Sequence, residues 1–336
     1  MPLFDFNKTI SQSTGAIKSL SALNPLTIHK KGTRAKAIFA LSTVCFLWGT
    51  TWLASKQGVK FIPDALQMSA IRQFIGGICY VGFFLYKRMP LPKGKEWIPI
   101  IVLSFLNFML SNGLSTLALQ YEVSAGLGSI IGAIFPLWLV VIGIFVSKSK
   151  IPIMAIVGLL LGFGGVCVIF YEHLDEFFLP KFRWGILFSF IATWTWALAT
   201  LYTKRQAINF NPYFSLGLQM IISSVVLYSF SELTGRAVPI TSIAWQSWVS
   251  IGYLVLFGSL IAFICYLYAL QNLPTEQASI YAYINPMVAV ILGAIVFDEK
   301  LTIYLAIGGL VTLLGVYLVN KAYKITTAEQ PEAEGV

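Results

Sequence analysis

Apolar stretches recur along the chain, each bounded by a short polar or basic segment. Ten stand out, approximately Ala35–Ser55, Leu66–Tyr86, Trp97–Leu117, Ala125–Val146, Ile153–Tyr171, Trp184–Tyr202, Tyr213–Phe230, Trp248–Leu267, Ala278–Phe297 and Leu301–Val319. A helix needs about 20 mostly apolar residues to cross a bilayer, so the pattern predicts an all-α integral membrane protein of ten transmembrane helices. Strands of a membrane barrel alternate in and out over about ten residues, and these stretches do not alternate. Residues 1–34 form a polar, Ser/Lys-rich N-terminal leader, expected to be loose or to lie on the membrane surface, and residues 321–336 form a polar tail. The first apolar run begins too late for an ordinary cleavable signal peptide.

The basic residues orient these helices. Lys8, Lys18, Lys30, Lys31, Arg34, Lys36, Lys87, Arg88, Lys93, Lys95, Lys148, Lys150, Lys204, Arg205, Lys321 and Lys324 fall on one side, 16 in all. Lys56, Lys60, Lys181, Arg183, Arg236 and Lys300, 6 in all, fall on the other. Cytoplasmic loops carry the excess of Lys and Arg, so both termini are expected in the cytoplasm of a bacterial cell, the chain crossing its plasma or inner membrane many times.

Composition narrows the function. Apolar residues make up 57% of the 336 and charged residues 11%, about half of the roughly 25% of a soluble domain. The net charge of +9 therefore belongs to loops, and no nucleic-acid partner is expected, because a basic patch needs a soluble face. Cys45, Cys79, Cys167 and Cys265 each sit alone in an apolar run, and His29 and His173 lie outside the runs. That spacing suits neither a structural zinc site nor a resident cofactor. Acid–base, nucleophilic or metal chemistry would need clustered His, Asp, Glu or Cys, which argues against an enzyme.

The chain also repeats itself. Trp48-Gly49-Thr50-Thr51-Trp52 and Lys56 match Trp196-Ala197-Leu198-Ala199-Thr200 and Lys204 at an offset of 148. Ala118-Leu119-Gln120 matches Ala269-Leu270-Gln271 at 151, and Ser129, Ile130 and Pro136 match Ser279, Ile280 and Pro286 at 150. Three matches in order predict two five-helix repeats, 35–171 and 184–320. Five is odd, so the second repeat would enter the membrane from the opposite side, an inverted arrangement common in secondary transporters.

These residues carry a resemblance to the drug/metabolite transporter superfamily, EamA type, with two tandem EamA domains. The matching features are Trp48-Gly49, Arg72, the run Ala125 to Ser129 leading to Pro136, Asn285-Pro286, and Asp298-Glu299-Lys300-Leu301 ahead of Gly308-Gly309 and Gly315. Ser149 stands where a partner of Glu299 would be in the first repeat, so that acid is not expected to have a symmetric role. The resemblance implies export of amino acids and other small metabolites through a cavity lined by helices 1, 3, 4, 6, 8 and 9.

Candidate cavity residues are Trp48, Arg72, Asn107, Asn112, Pro136, Trp194, Trp196, Tyr281, Tyr283, Asn285 and Pro286. Arg72 is the one charge well inside a span. An arginine there costs about 2.5–3.5 kcal/mol on insertion scales; it serves as a solute or gate residue, as an interhelical anchor, or as a side chain snorkelling to the interface. Each proline frees a carbonyl four residues back, at Gly132 and Ala282, which suits a bend lining a cavity or a packing kink. Trp and Tyr join an apolar face to one hydrogen-bonding tip. Tyr281 and Asn285 are an i,i+4 pair, whereas Tyr283 points elsewhere. Gly128/Gly132 and Gly158/Gly162 permit close helix contact, within one chain or between two copies in a homodimer. The expectation is a secondary transporter or exporter of small neutral, zwitterionic or anionic solutes, working by alternating access. A channel, scramblase or sensor is the alternative. With no carboxylate or histidine inside a span, proton coupling is not expected.

Overall fold

The computed structural model describes residues 34–146, 152–172, 179–206, 211–273, 278 and 281–328. The leader to residue 33, Ser149, His173, Glu276, Ser279, Ile280 and the end of the tail fall outside them. The described residues contain helices and no strand. In chain order these are α1 (Arg34–Val59), α2 (Ala65–Tyr86), α3 (Gly94–Gln120), α4 in two pieces (Ala125–Ala133 and Phe135–Val146) and α5 (Ile153–Glu172). The second half holds α6 (Pro180–Gln206), α7 (Pro212–Leu233), α8 (Trp245–Asn272), α9 (Tyr281–Phe297) and α10 (Ile303–Ala328). Each apolar run is helical along most of its length. Among the described residues, α1, α2, α3, α6, α7 and α8 are long and apolar enough to cross a membrane. The other four contribute shorter apolar stretches, Ala125–Leu139, Ile153–Ile169, Ile284–Phe297 and Ile303–Val319. Large apolar side chains such as Phe39, Leu160, Val249, Ile295 and Leu310 are exposed on the outside, a surface that water would not tolerate but lipid does.

Local chemistry sets the helix ends. Asp64 caps α2 by accepting from Leu66 N at 3.3 Å, and Asn211 caps α7 through Tyr213 N and Phe214 N at 3.0 and 3.1 Å, with Pro212 in the first turn. Both satisfy donors that a helix start leaves unpaired. The Asp64 carboxylate also receives a hydrogen bond from Ser231 of α7. Gln67 clamps Val238 both ways, its amide donating to Val238 O at 2.6 Å and accepting from Val238 N at 3.1 Å. These bonds join α2 to α7 and to the segment after it.

Two local irregularities recur at one spacing. Ser104–Gly113 in α3 and Leu254–Ile261 in α8 are wound as π-helix, and they begin 150 residues apart. A π turn shifts the hydrogen-bond register and leaves carbonyls for other donors. Phe108 O accepts from Gln73 Nε2 at 3.1 Å, and Gly258 O, 150 residues on, accepts from Trp48 Nε1 at 3.3 Å. The Tyr80 hydroxyl reaches Ser259 O and Leu260 O at 3.0 and 2.9 Å. Side chains from α1 and α2 thus stabilise the widened turns.

Glycines set the closest helix approaches. A Cβ at Gly158 would lie 2.7 Å from Gly315 O, and one at Gly165 would lie 2.5 Å from Gly308 O. With the 150-residue spacing, Gly158 corresponds to Gly308 and Gly165 to Gly315, so the α5–α10 seam is self-complementary. Gly128 and Gly132 instead make room for a ring: their Cβ atoms would stand 2.7 and 3.2 Å from Trp52. The tight packing expected at these small residues is present, within the chain.

Candidate functional site

α1 presents Trp48, Thr51, Trp52 and Ser55 at i, i+3, i+4 and i+7, which one helical face can display. All four line a cleft enclosing about 900 Å³, counting the space at its mouth. Opposite stand Ser111, Asn112, Ser115 and Thr116 of α3, Ser129 and Gly132 of α4, Thr193 and Trp196 of α6, and Tyr281, Asn285 and Pro286 of α9. Hydroxyls and amides scattered over an apolar, aromatic wall are the usual makeup of a small-molecule site.

Arg72 belongs to this wall and is 8% exposed. Its Nε donates to Ser259 Oγ on the α8 π segment at 3.0 Å. A Cβ at Gly258 would lie 3.1 Å from Arg72 Nη2, so the glycine lets the guanidinium lie against the α8 backbone. The side chain is therefore not snorkelling; it bridges α2 to α8 and borders the cavity. Among the described residues it has that one hydrogen bond and no acidic partner. A buried guanidinium offers five donors, and this one lies in the cavity wall with Nε alone hydrogen-bonded among the described residues.

The floor is aromatic. Trp48 packs against Tyr266, Phe263, Tyr281 and Trp196 with ring centroids 5.0, 5.2, 5.2 and 5.7 Å away. Phe135 stacks on Tyr281 at 5.5 Å, and Trp196 Nε1 donates to Tyr281 Oη at 3.1 Å. Beyond this layer lies a second, smaller cavity, about 770 Å³ when the open space at its mouth is counted, lined at the other ends of α3 and α6 by residues including Glu96, Leu103, Asn107, Thr200 and Thr203, with Ser215 and Gln219 of α7. Trp196 and Phe263 border both cavities.

Of the residues expected from sequence, Trp48, Arg72, Asn112, Trp196, Tyr281, Asn285 and Pro286 line the first cavity and Asn107 the second. Turned so that its nitrogen rather than its oxygen faces these carbonyls, the Asn285 amide donates to Cys45 O at 2.6 Å and Tyr281 O at 3.2 Å, tying α9 to α1. Trp194 is 45% exposed and lines neither cavity; two residues from Trp196, it lies on the far face of α6. Pro136 is buried in α4 without lining either cavity. The side chain of Tyr283 lies outside the described residues. Thr51, Trp52, Ser55, Ser111, Ser115, Thr116 and Phe263 were missed. The signal for the α1 group was its helical spacing inside the string used for the repeat.

Two further charges sit at the cavity's end of the molecule. Lys56 Nζ donates to Leu119 O at 3.0 Å and Val123 O at 2.7 Å, closing the end of α3. The Glu299 carboxylate accepts from Ala125 N and Gly126 N at 3.0 and 3.2 Å, at the start of α4. Anions favour helix N-termini and cations C-termini, so both placements are electrostatically sound. Sequence reading singled out both residues but could not find these contacts, because the partners are backbone groups.

Comparison with known proteins supports the repeat and the broad class. The sequence model of the EamA-like transporter family matches residues 35–171 and again 183–321. The chain is similar to the uncharacterized inner membrane transporter YedA of Escherichia coli K12, 29% identical over 290 residues, covering 83% of this chain and 91% of that protein. It is 28% identical over 308 residues to the uncharacterized transporter YvbV of Bacillus subtilis 168, covering 88% and 95%. A chloroplastic WAT1-related protein of Arabidopsis thaliana is 27% identical over 281 residues, covering 82% and 67%. A solved structure titled "Crystal structure of protein" shares the fold with a TM-score of 0.62 at 18% identity, over 85% of this chain and 98% of that one.

Proposed function

The chain belongs to the EamA-like transporter family, and from that premise we propose that it is a secondary transporter for a small solute bearing a carboxylate and an apolar body. Family and relatives indicate a multi-pass bacterial membrane transporter rather than an enzyme. The finer reading rests on one observation: Arg72 stands in the cavity wall, buried, held by a single serine and without an acid. Hydrogen bonds to charged groups contribute about 1.5–3 kcal/mol, and a carboxylate matches the guanidinium fork. The aromatic floor suits an apolar body. Amino acids fit both demands.

In this reading the ten helices all span the membrane as two inverted five-helix repeats, with both termini cytoplasmic. Alternating access moves the solute past the aromatic layer that separates the two cavities. Export in the cell follows from the resemblance. No carboxylate among the described residues lines the first cavity, which supports exchange driven by the solute's own gradient.

The test is counterflow of a labelled mixture of the twenty amino acids into proteoliposomes holding the full chain. We expect uptake driven by unlabelled amino acids inside, with Arg72→Gln raising the half-saturating concentration about 10- to 100-fold, the factor that follows from losing a charged hydrogen bond. Conduction without counterflow would indicate a channel. Counterflow unaffected by Arg72→Gln would remove the carboxylate assignment.

A further inference from the structure

We infer that the second cavity is a docking station for the same solute, a counterpart of the first whose described lining holds no cation and in which Gln219 stands where Arg72 stands. The inference rests on the transport reading above. α2 and α7 are both 22 residues long, and Arg72 and Gln219 are each the eighth residue of their helix. Arg72 lines the first cavity and Gln219 the second. A serine from a π segment of the other half meets each residue, at the side chain of Arg72 and at the backbone carbonyl of Gln219. Ser259 of α8 accepts from Arg72 Nε at 3.0 Å, and Ser104 of α3 donates to Gln219 O at 2.9 Å. The cavities lie at opposite ends of α3 and α6, with Trp196 and Phe263 as shared wall. A solute could pass from one to the other without leaving an aromatic surface.

The chemistry of the two stations differs. The guanidinium supplies fixed charge and several donors. The Gln219 amide supplies neither charge nor a fork; its Nε2 donates to Ser215 Oγ at 2.9 Å. Beside it stand the neutral Thr200, Thr203 and Asn107, whose buried Oδ1 has no partner, and the Glu96 carboxylate, which accepts from Lys93 N at 2.7 Å. A neutral amide pairs with a carboxylate or an ammonium, but it has neither the charge nor the two-pronged fork of a guanidinium, and the Glu96 carboxylate in the same wall opposes an anionic group. The second station therefore takes the same zwitterionic or anionic solute, with lower affinity. The two faces of the transporter differ in half-saturation, and maximal rates compensate so that no net transport arises without a gradient.

The experiment measures counterflow of the labelled amino-acid mixture in right-side-out and in inside-out membrane vesicles carrying the full chain. Wild type is expected to half-saturate at about tenfold lower concentration from the Arg72 end. Gln219→Arg should lower the value at the other face about tenfold and bring the two together. Thr203→Val removes one hydroxyl from the second cavity; it should raise half-saturation about threefold at that face alone, and it decides the matter if the arginine variant does not fold. Equal shifts at both faces, or no shift, overturn the second station while leaving transport intact. No counterflow by wild type in either vesicle overturns the transport reading and this inference together.

Discussion

α4 and α9 occupy matching places in the two halves and carry prolines 150 residues apart, yet they bend differently. α4 parts at Ile134, one residue after Ala133 and two before Pro136, whereas α9 runs unbroken from Tyr281 to Phe297 through Pro286. The sequence reading expected two equivalent bends. The difference lies in the neighbours. The Thr193 hydroxyl of α6 is shared between Ser189 O of its own helix at 2.9 Å and Ile131 O at 3.2 Å, so a carbonyl next to the break in α4 has a donor within reach from outside its helix. At α9 the Asn285 amide, turned with its nitrogen toward the carbonyl, donates to Tyr281 O within the same helix. A proline weakens a helix, but the donors within reach decide whether it opens.

The sharpest test of likeness between the halves is the α5–α10 seam, where they agree. A Cβ at Gly158, Gly165 or Gly308 would press on a backbone carbonyl of the opposite helix at 2.5 to 2.7 Å. Backbone cannot yield as a side chain can, so each Gly→Ala forces the helices apart. Overpacking of this kind costs about 1–3 kcal/mol. We expect Gly158→Ala and its counterpart Gly308→Ala to destabilise the protein equally, within about 0.5 kcal/mol, as read by reversible unfolding in detergent. A gap above about 1 kcal/mol would show that the seam is not self-complementary in energy.

How much of this was legible depended on the kind of signal. Apolar runs longer than a bilayer is thick announce helices, and the helices observed start and stop within about five residues of them, except that α10 runs on nine residues past Val319 to Ala328, into the segment expected to be tail. Trp48, Trp196 and Tyr281 could be picked because mid-span aromatics with polar tips are unusual. Direction round the helix was harder: Trp194 and Trp196 look alike in sequence and face opposite ways. The π segments were invisible, because Ser104–Gly113 and Leu254–Ile261 read as ordinary apolar helix. Their register depends on Gln73, Tyr80 and Trp48 arriving from other helices. Lys56 and Glu299 pair with backbone, which leaves no complementary residue to search for.

The bend in α4 can be probed directly. Thr193→Val removes the donor to Ile131 O while keeping the volume. Losing one such bond costs about 0.5–1.5 kcal/mol. Pro136→Ala should work the other way, restoring a backbone donor and favouring a continuous α4. We expect Pro136→Ala to slow counterflow more than Pro286→Ala, because α9 is already continuous. Equal effects of the two proline substitutions would mean that α9 also opens during transport, and that the difference between the halves belongs to one state only.

The smallest expected effect concerns the one tether whose counterpart was not expected from sequence. Glu299 joins the end of the second repeat's α9 to the start of the first repeat's α4 through Ala125 N and Gly126 N. Ser124 already accepts from Leu127 N at 3.0 Å, so the N-terminus of α4 keeps one cap whatever happens to Glu299. Glu299→Gln preserves length and one acceptor and removes the charge. What is lost is the interaction of a carboxylate with the helix dipole, about 0.3–1 kcal/mol near a partly exposed terminus. Glu299→Ala removes both acceptors and should cost more, about 1–2 kcal/mol by analogy with cap deletions. The ordering wild type, Gln, Ala in thermal stability, with the Gln step shrinking at high salt, marks an electrostatic tether between the halves. If Gln and Ala were equally destabilising and insensitive to salt, the charge would be irrelevant, and the contact of Glu299 with Gly293 and Gly126 would be holding α4 to α9 by shape alone.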